Sequence, residues 1–255
     1  MSARLGIDLG ATWLRACLAE RGRLAWSERR PAVDWRRLPD ALPPLLRAHG
    51  LRRVAALTVG STRLGGAEGR AALAKALRPL ASRVRVLPDY EIAHLAAFGR
   101  GPGVVLVAST GSAAFARGAD GRARRAGGYG PLLGDEGSGF WLGREAARDA
   151  RLRRALRLPH PLDLAHSDDP VRATAALAPR VLRGSPRLRA AAAAHLAALA
   201  REAAGGLALP RRVPLVLHGS LFRDARLRAA TLRALGRGWE TREPRVSAER
   251  AAAGL

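Results

Sequence analysis

Two separate stretches of this chain place a polar glycine turn between short apolar runs, and that pattern limits what it can fold into. Residues 4–20, RLGIDLGATWLRACLAE, set apolar positions on either side of Gly10-Ala11-Thr12. Such a pattern reads as strand, tight turn, strand. It recurs at 104–117, where VVLVAS and AAFAR flank Thr110-Gly111-Ser112 and a hairpin turn follows at Ala119-Asp120-Gly121. No periodic repeat of 20 to 50 residues runs through the chain.

Between the hairpins, strands and helices alternate. Residues 53–59, 84–88 and 213–220 have the apolar runs of buried strands. Helical spacing covers 38–49, interrupted by Pro43-Pro44, then 68–82 and 91–98. It returns at 140–157, at 171–209 with a break near Pro186, and at 224–235, with a short terminal helix after the Arg/Pro segment 242–246. This alternation predicts an α/β chain. The glycines at 99–103 predict a boundary there, with a first domain at 1–100 and a second at 101–255, the terminal helix returning to the first.

Composition sets outer limits. With 48% hydrophobic residues, 255 residues supply an ample core. A single cysteine, Cys17, excludes a disulfide framework and a multi-cysteine metal site within the chain. No run approaches 18 uncharged apolar residues, and MSARLGIDLG lacks the apolar core of a signal peptide. The expectation is a cytoplasmic protein without a membrane span. The charge of +23 comes from 44 basic against 21 acidic residues, and Lys75 is the only lysine. The arginines are spread over every segment, and aromatic residues, the stacking platforms of single-strand binders, are only 4%. That distribution reads as a solvated surface and argues against nucleic acid as the partner.

Five short segments can carry chemistry. Asp8-Leu9-Gly10-Ala11-Thr12 ends a strand with a turn whose amides and hydroxyl suit a phosphate. Its carboxylate would repel phosphate directly, so Asp8 suits a water-bridged Mg²⁺. Ser109-Thr110-Gly111-Ser112 is a second hydroxyl-rich turn. The stretch GGYGPLLGDEGSG, 127–139, allows close backbone approach to a ligand, with Asp135 and Glu136 as acceptors for sugar hydroxyls or a divalent ion. Asp89 lies between a strand and a helix, where it serves either as a helix N-cap or as a general base. His218-Gly219-Ser220 closes a strand, and its glycine lets a flat base lie against the backbone. The six histidines show no metal-ligand spacing. No Walker-type loop or G-x-S-x-G elbow is present.

In order and context these segments resemble the actin-like sugar kinases, and more closely the BadF/BadG/BcrA/BcrD ATPase family with its N-acetylglucosamine kinases. GGYGPLLGDEGSGFWLGREAAR, 127–148, is the most specific piece. The resemblance implies a two-lobed actin-like ATPase fold, related to ribonuclease H, with a nucleotide cleft between the lobes. It implies ATP and Mg²⁺ as cofactors. The phosphates would be held by Asp8, Gly10, Ala11 and Thr12 and by Thr110, Gly111 and Ser112. Adenosine would lie at Gly219 and Ser220, and Asp89 would be the catalytic base. The sugar would be bound by Asp89, Gly128, Asp135 and Glu136. The implied reaction is phosphorylation of N-acetylglucosamine or glucosamine at the 6-hydroxyl, in a chain that can form a homodimer. The chain departs from the family pattern at Trp13, where a lysine is usual, at Ser109 for glycine, and at Asp34 and Ala113 near expected asparagines. Another small sugar or alcohol as acceptor, a non-catalytic sugar- and ATP-binding pseudokinase, and a basic nucleic-acid binder are the alternatives. The family's dehydratase-activating branch needs cluster-ligating cysteines, and Cys17 lies in the first strand pair, unsuited to that role.

Overall fold

The computed structural model describes residues 3–10, 13–61, 64 and 66–255. In chain order the first elements are β1 (Arg4–Leu9), β2 (Trp13–Glu20), β3 (Arg23–Pro31), α1 (Leu38–Ala48), β4 (Val54–Ser61), α2 (Ala67–Leu77), β5 (Ala81–Pro88) and α3 (Asp89–Phe98). Next come β6 (Gly103–Ala108), β7 (Ser112–Arg117), β8 (Ala123–Gly127), α4 (Gly139–Arg148), α5 (Ala150–Ala155), α6 (Pro161–Ala165), α7 (Pro170–Ala175), α8 (Ala178–Gly184) and α9 (Pro186–Ala204). The chain finishes with β9 (Val213–His218), α10 (Ala225–Leu235), β10 (Trp239–Thr241) and α11 (Ala248–Ala253). Contacts divide it into two compact units, Met1–Gly99 with Pro244–Leu255, and Arg100–Glu243.

Each unit is built on a five-stranded sheet of the same topology. The first is ordered β3-β2-β1-β4-β5 and the second β8-β7-β6-β9-β10. In both, three strands run as an antiparallel meander and two more add in parallel to the first of them. In the first unit Leu5, Ile7, Leu9, Leu14, Ala16 and Leu18 turn to one face and share a core with Leu42, Leu45 and Leu46 of α1. The other face carries α3 and α11. There β1 presents Gly6 and Asp8, because side chains alternate along a strand. A Cβ on Gly6 would stand 2.1 Å from the Glu249 carbonyl oxygen, and one on Gly60 would stand 2.2 Å from Ile92 Cδ1. Glycine at these two positions lets both helices pack directly on the backbone. The amides of Arg245 and Val246 donate to the Ala96 carbonyl, tying the returning segment to α3. Cys17 is fully buried beneath α11, and burial, with the Glu249 charge adding to it, raises its thiol pKa.

Several local expectations change. Helix α1 runs straight through Pro43 and Pro44, since buried Leu42, Leu45 and Leu46 anchor it on both sides. The strand β3 was not legible, because its residues are mostly exposed and charged as befits a sheet edge. The 68–82 helix stops at Leu77, and Ala81 already belongs to β5. The helix expected at 140–157 is two: Asp149 accepts from the amides of Arg151 and Leu152 and starts α5 afresh. The 171–209 segment is three helices, the last begun by Ser185, whose hydroxyl accepts from Leu188 N–H. No described helix is long and apolar enough to cross a membrane.

Replacing Gly6 with Val should cost about 1–3 kcal/mol by overpacking. The check is a urea midpoint, with Gly238→Val, whose glycine has open space around it and no positive φ, compared for the cost of losing the glycine itself.

Candidate active site

In the first unit the parallel strands β1, β4 and β5 end on one edge. Leu9 pairs with Ser61, and Ser61 pairs with Pro88, so Asp8 and Asp89 share that edge. Carboxyl edges of parallel strands are where α/β folds present their ligands. Asp8 accepts a 2.8 Å charge-assisted bond at Oδ2 from Arg15 Nη1, its cross-strand neighbour. The Gly10 amide donates to the Trp13 carbonyl at 3.0 Å, so that amide closes the hairpin and is not offered to a phosphate. Ala11 and Thr12 lie outside the described residues. A small polar cavity of about 200 Å³ opens here, lined by Leu9, Gly10, Ala32, Val33, Asp34, Trp35 and Ser61.

Asp89 stands at the first helical position of α3 and Pro88 is the cap, so the N-cap reading is off by one residue. Its Oδ1 accepts from Tyr90 N–H at 2.9 Å. Burial pushes the carboxyl up to about 6; the Tyr90 amide opposes this, and the nearby Asp8 charge adds to it. An acid near pKa 6 is mostly ionised at neutral pH yet basic enough to take a proton.

In the second unit the turn after β6 is braced from below. Asp135 is buried, with a left-handed φ of 66°. Its Oδ1 accepts from Ser112 N–H at 3.0 Å, and Ser112 Oγ donates to the Glu136 carbonyl at 2.8 Å. A Cβ on Gly111 would lie 2.8 Å from Asp135 Oδ1, so the carboxylate can sit there only because residue 111 is glycine. Gly128 N–H donates to the Ser112 carbonyl. Burial raises the Asp135 pKa, the Ser112 amide lowers it, and the Glu136 charge raises it again. The turn's carbonyls are also spoken for: Gly139 and Phe140 at the start of α4 donate to Ser109 and Thr110. Thus Gly111, Ser112, Gly128, Asp135 and Glu136 form one cluster, and the Ser112 hydroxyl is spent inside it.

The side chains that remain available face a larger cavity of about 590 Å³, within the range of small-molecule sites. Ser109 and Thr110 line it from the turn, Gly139 from α4 and Ser220 from the β9 end. Gly219, at φ 108°, presses on the Ala108 backbone; a Cβ there would fall 2.3 Å from the Ala108 carbonyl oxygen. Ala175, Ala176, Pro179 and Leu182 form an apolar wall, and Arg172, Arg183 and Arg223 add three cations. Sequence reasoning missed this wall and these arginines. In a chain with arginine in every segment, nothing marked these three.

Solved structures of low sequence identity share the α/β fold of this chain. A candidate N-acetylglucosamine kinase from Chromobacterium violaceum superposes with a TM-score of 0.75, at 23% identity, over 99% of this chain and 98% of that one. A second, from Porphyromonas gingivalis, gives a TM-score of 0.68 at 19% identity over 98% and 97%. In sequence, a stretch of 102 residues is 30% identical to an N-acetylmuramic acid/N-acetylglucosamine kinase from Clostridium acetobutylicum. The match takes in 39% of this chain and spans only a third, 33%, of that relative's length. No protein-family model matches the chain.

Asp89 predicts a stability effect whose sign can be worked out. Its folded pKa lies above its unfolded value of 3.8, so between about pH 4 and 6 the folded state binds more protons and stability falls as pH rises. The Asp89→Asn variant should therefore be the more stable protein at pH 7.5, by roughly 2–3 kcal/mol, and should lose this advantage below pH 4. Denaturant titrations at the two pH values decide it.

Proposed function

We propose that this chain is an ATP-dependent kinase that phosphorylates an amino sugar, N-acetylglucosamine or glucosamine, on its 6-hydroxyl. The observation that carries the reading is Asp89, a half-buried carboxyl held near pKa 6 on the same strand edge as Asp8. In this role Asp89 accepts the proton of the sugar hydroxyl while its oxygen attacks the terminal phosphorus and ADP leaves. The kinase name of the Clostridium acetobutylicum relative supports the same substrate class.

Each unit contributes residues suited to one part of this reaction. The 590 Å³ cavity suits a nucleotide: the wall of Ala175, Ala176, Pro179 and Leu182 for the base, and Thr110, Ser220 and the arginines for hydroxyls and phosphates. The 200 Å³ cavity with Asp34, Trp35 and Ser61 is of a size and polarity for a monosaccharide. Asp135, with one oxygen already bonded to Ser112 N–H, serves first to brace the second turn. Its other oxygen, with Gly128 and Glu136, is left to the sugar. Asp8, through water, would hold Mg²⁺, which takes hard oxygen donors and offsets phosphate charge when bound. Such an ATP-consuming enzyme belongs in the cytoplasm.

The test is ADP release from ATP·Mg²⁺ across a panel of hexoses and hexosamines. Release stimulated by an amino sugar is expected, rising with pH through about 6 as Asp89 ionises. Asp89→Asn should cut turnover by about a hundredfold or more, within the range of a lost general base. No stimulation by any sugar, or unchanged turnover in that variant, would sink the reading. Arg183→Glu, which puts a repelling charge in the nucleotide cavity, should raise KM for ATP about tenfold, read from initial rates at saturating sugar.

A further inference from the structure

We propose that Asp34 selects the acceptor, and that it selects a free amino sugar: its carboxylate pairs with the C2 ammonium of glucosamine, a pair that an N-acetylated sugar cannot make. This rests on the kinase reading above and narrows the substrate to the cationic member of its class.

The local charge runs against the composition. The chain has 44 basic residues against 21 acidic ones, with arginine in every segment. Yet among the described residues that line the 200 Å³ cavity of the first unit, Asp34 alone is charged. The 590 Å³ cavity of the second unit has the opposite balance. There Arg172, Arg183 and Arg223 face one carboxylate, Asp224, whose Oδ1 already accepts from Leu227 N–H at 2.8 Å. By local charge, the larger cavity suits an anion and the smaller one a cation.

Asp34 has an oxygen to give. It precedes the single 3₁₀ turn Trp35–Arg37, and its Oδ1 accepts from Arg36 N–H at 2.9 Å. That bond orients the carboxylate. Among the described residues no hydrogen bond is made to Oδ2. The Arg36 guanidinium stands 3.7 Å from Oδ1, beyond hydrogen-bond reach, and lies over the Trp35 ring with its side chain 71% exposed. A solvated pair of this kind contributes little, so the carboxylate keeps its charge for a ligand.

Ser61 ties the cavity to the general base. It lines the cavity, and in the sheet it pairs with Pro88, the residue before Asp89. C2 and C6 lie at opposite ends of a pyranose, so a sugar held by its ammonium on Asp34 has its 6-hydroxyl at the far end. The amine carries its proton at pH 7, and a charge-assisted bond to carboxylate is the stronger kind. Acetylation removes that charge.

The experiment is initial-rate kinetics with glucosamine and with N-acetylglucosamine at pH 7 and saturating ATP·Mg²⁺, alongside calorimetric titration of each sugar. Wild type should favour glucosamine in kcat/KM by about tenfold, the scale of one charge-assisted bond. Asp34→Asn keeps the oxygen that caps the turn and loses only the charge, so the fold is retained. It should raise KM for glucosamine about tenfold and leave kcat, and KM for N-acetylglucosamine, within about threefold. Asp40→Asn, an exposed acid in the first turn of α1, loses the same charge and should stay within about twofold of wild type for both sugars. A wild type that favours N-acetylglucosamine, or an Asp34→Asn variant with unchanged preference, overturns the proposal and leaves the kinase reading standing. Glucosamine that binds in an Asp34-dependent way, with no ADP released, overturns the kinase reading and leaves the Asp34 site standing. If neither sugar binds or is phosphorylated, both fall.

Discussion

Backbone lies against backbone at the centre of both units, and the rest of the arrangement depends on it. A side chain at Gly219 would meet the Ala108 carbonyl, and one at Gly143 would meet the Thr174 carbonyl at 2.0 Å. In the first unit Gly6 does the same for the backbone of α11, and Gly60 makes room for the Ile92 side chain of α3. Each glycine gives up side-chain packing and adds conformational entropy to the unfolded chain. What each gains is a helix or strand end seated close enough to put its polar groups at a strand edge. Asp89 reaches the level of Asp8 because Ile92, one turn later, fits into the space over Gly60. Asp135 reaches beneath the second turn because Gly111 has no Cβ.

Electrostatics follows from that seating. Burial of Asp89 costs stability at neutral pH, and the chain tolerates the cost at a position where a carboxyl near pKa 6 has a chemical use. Asp8 contributes to the rise while its own charge is balanced by Arg15. In the second unit one oxygen of Asp135 accepts from the Ser112 amide, so a group that sequence reasoning assigns to a ligand also shapes the turn. The arginine excess is a background over which a few guanidiniums have definite seats. Arg29 lies on Trp13, and Arg172, Arg183 and Arg223 line one cavity.

Elements with buried, periodic residues were legible: β1, β2, β4, β6, β7, β9, α3 and α10 fall where apolar spacing puts them. Legibility failed where burial did not set the pattern. The edge strand β3 is charged because an edge must not pair with another chain. The break at Asp149 turns on capping bonds, which interrupt a helix without interrupting its apolar spacing, whereas the break at Ser185 was marked by Pro186. Pro43 and Pro44 mislead in the opposite direction, since tertiary contacts of the neighbouring leucines hold α1 together across them. In the site, residues next to glycine turns stood out, whereas the cavity wall on α7 and α8 did not.

The sequence by itself determined the α/β class, the two glycine-turn hairpins and the residues that can do acid–base or phosphate chemistry, because those follow from side-chain period and local turn chemistry. Only the tertiary structure decided which of those groups are free to act. It closed the Gly10 amide on Trp13, spent the Ser112 hydroxyl on Glu136 and left Thr110 and Ser220 facing a cavity. It also gathered three arginines from separate segments and set Arg29 on Trp13. Hydrogen-bond partners and solvent exposure are properties of residues distant in the chain, and no local pattern records them.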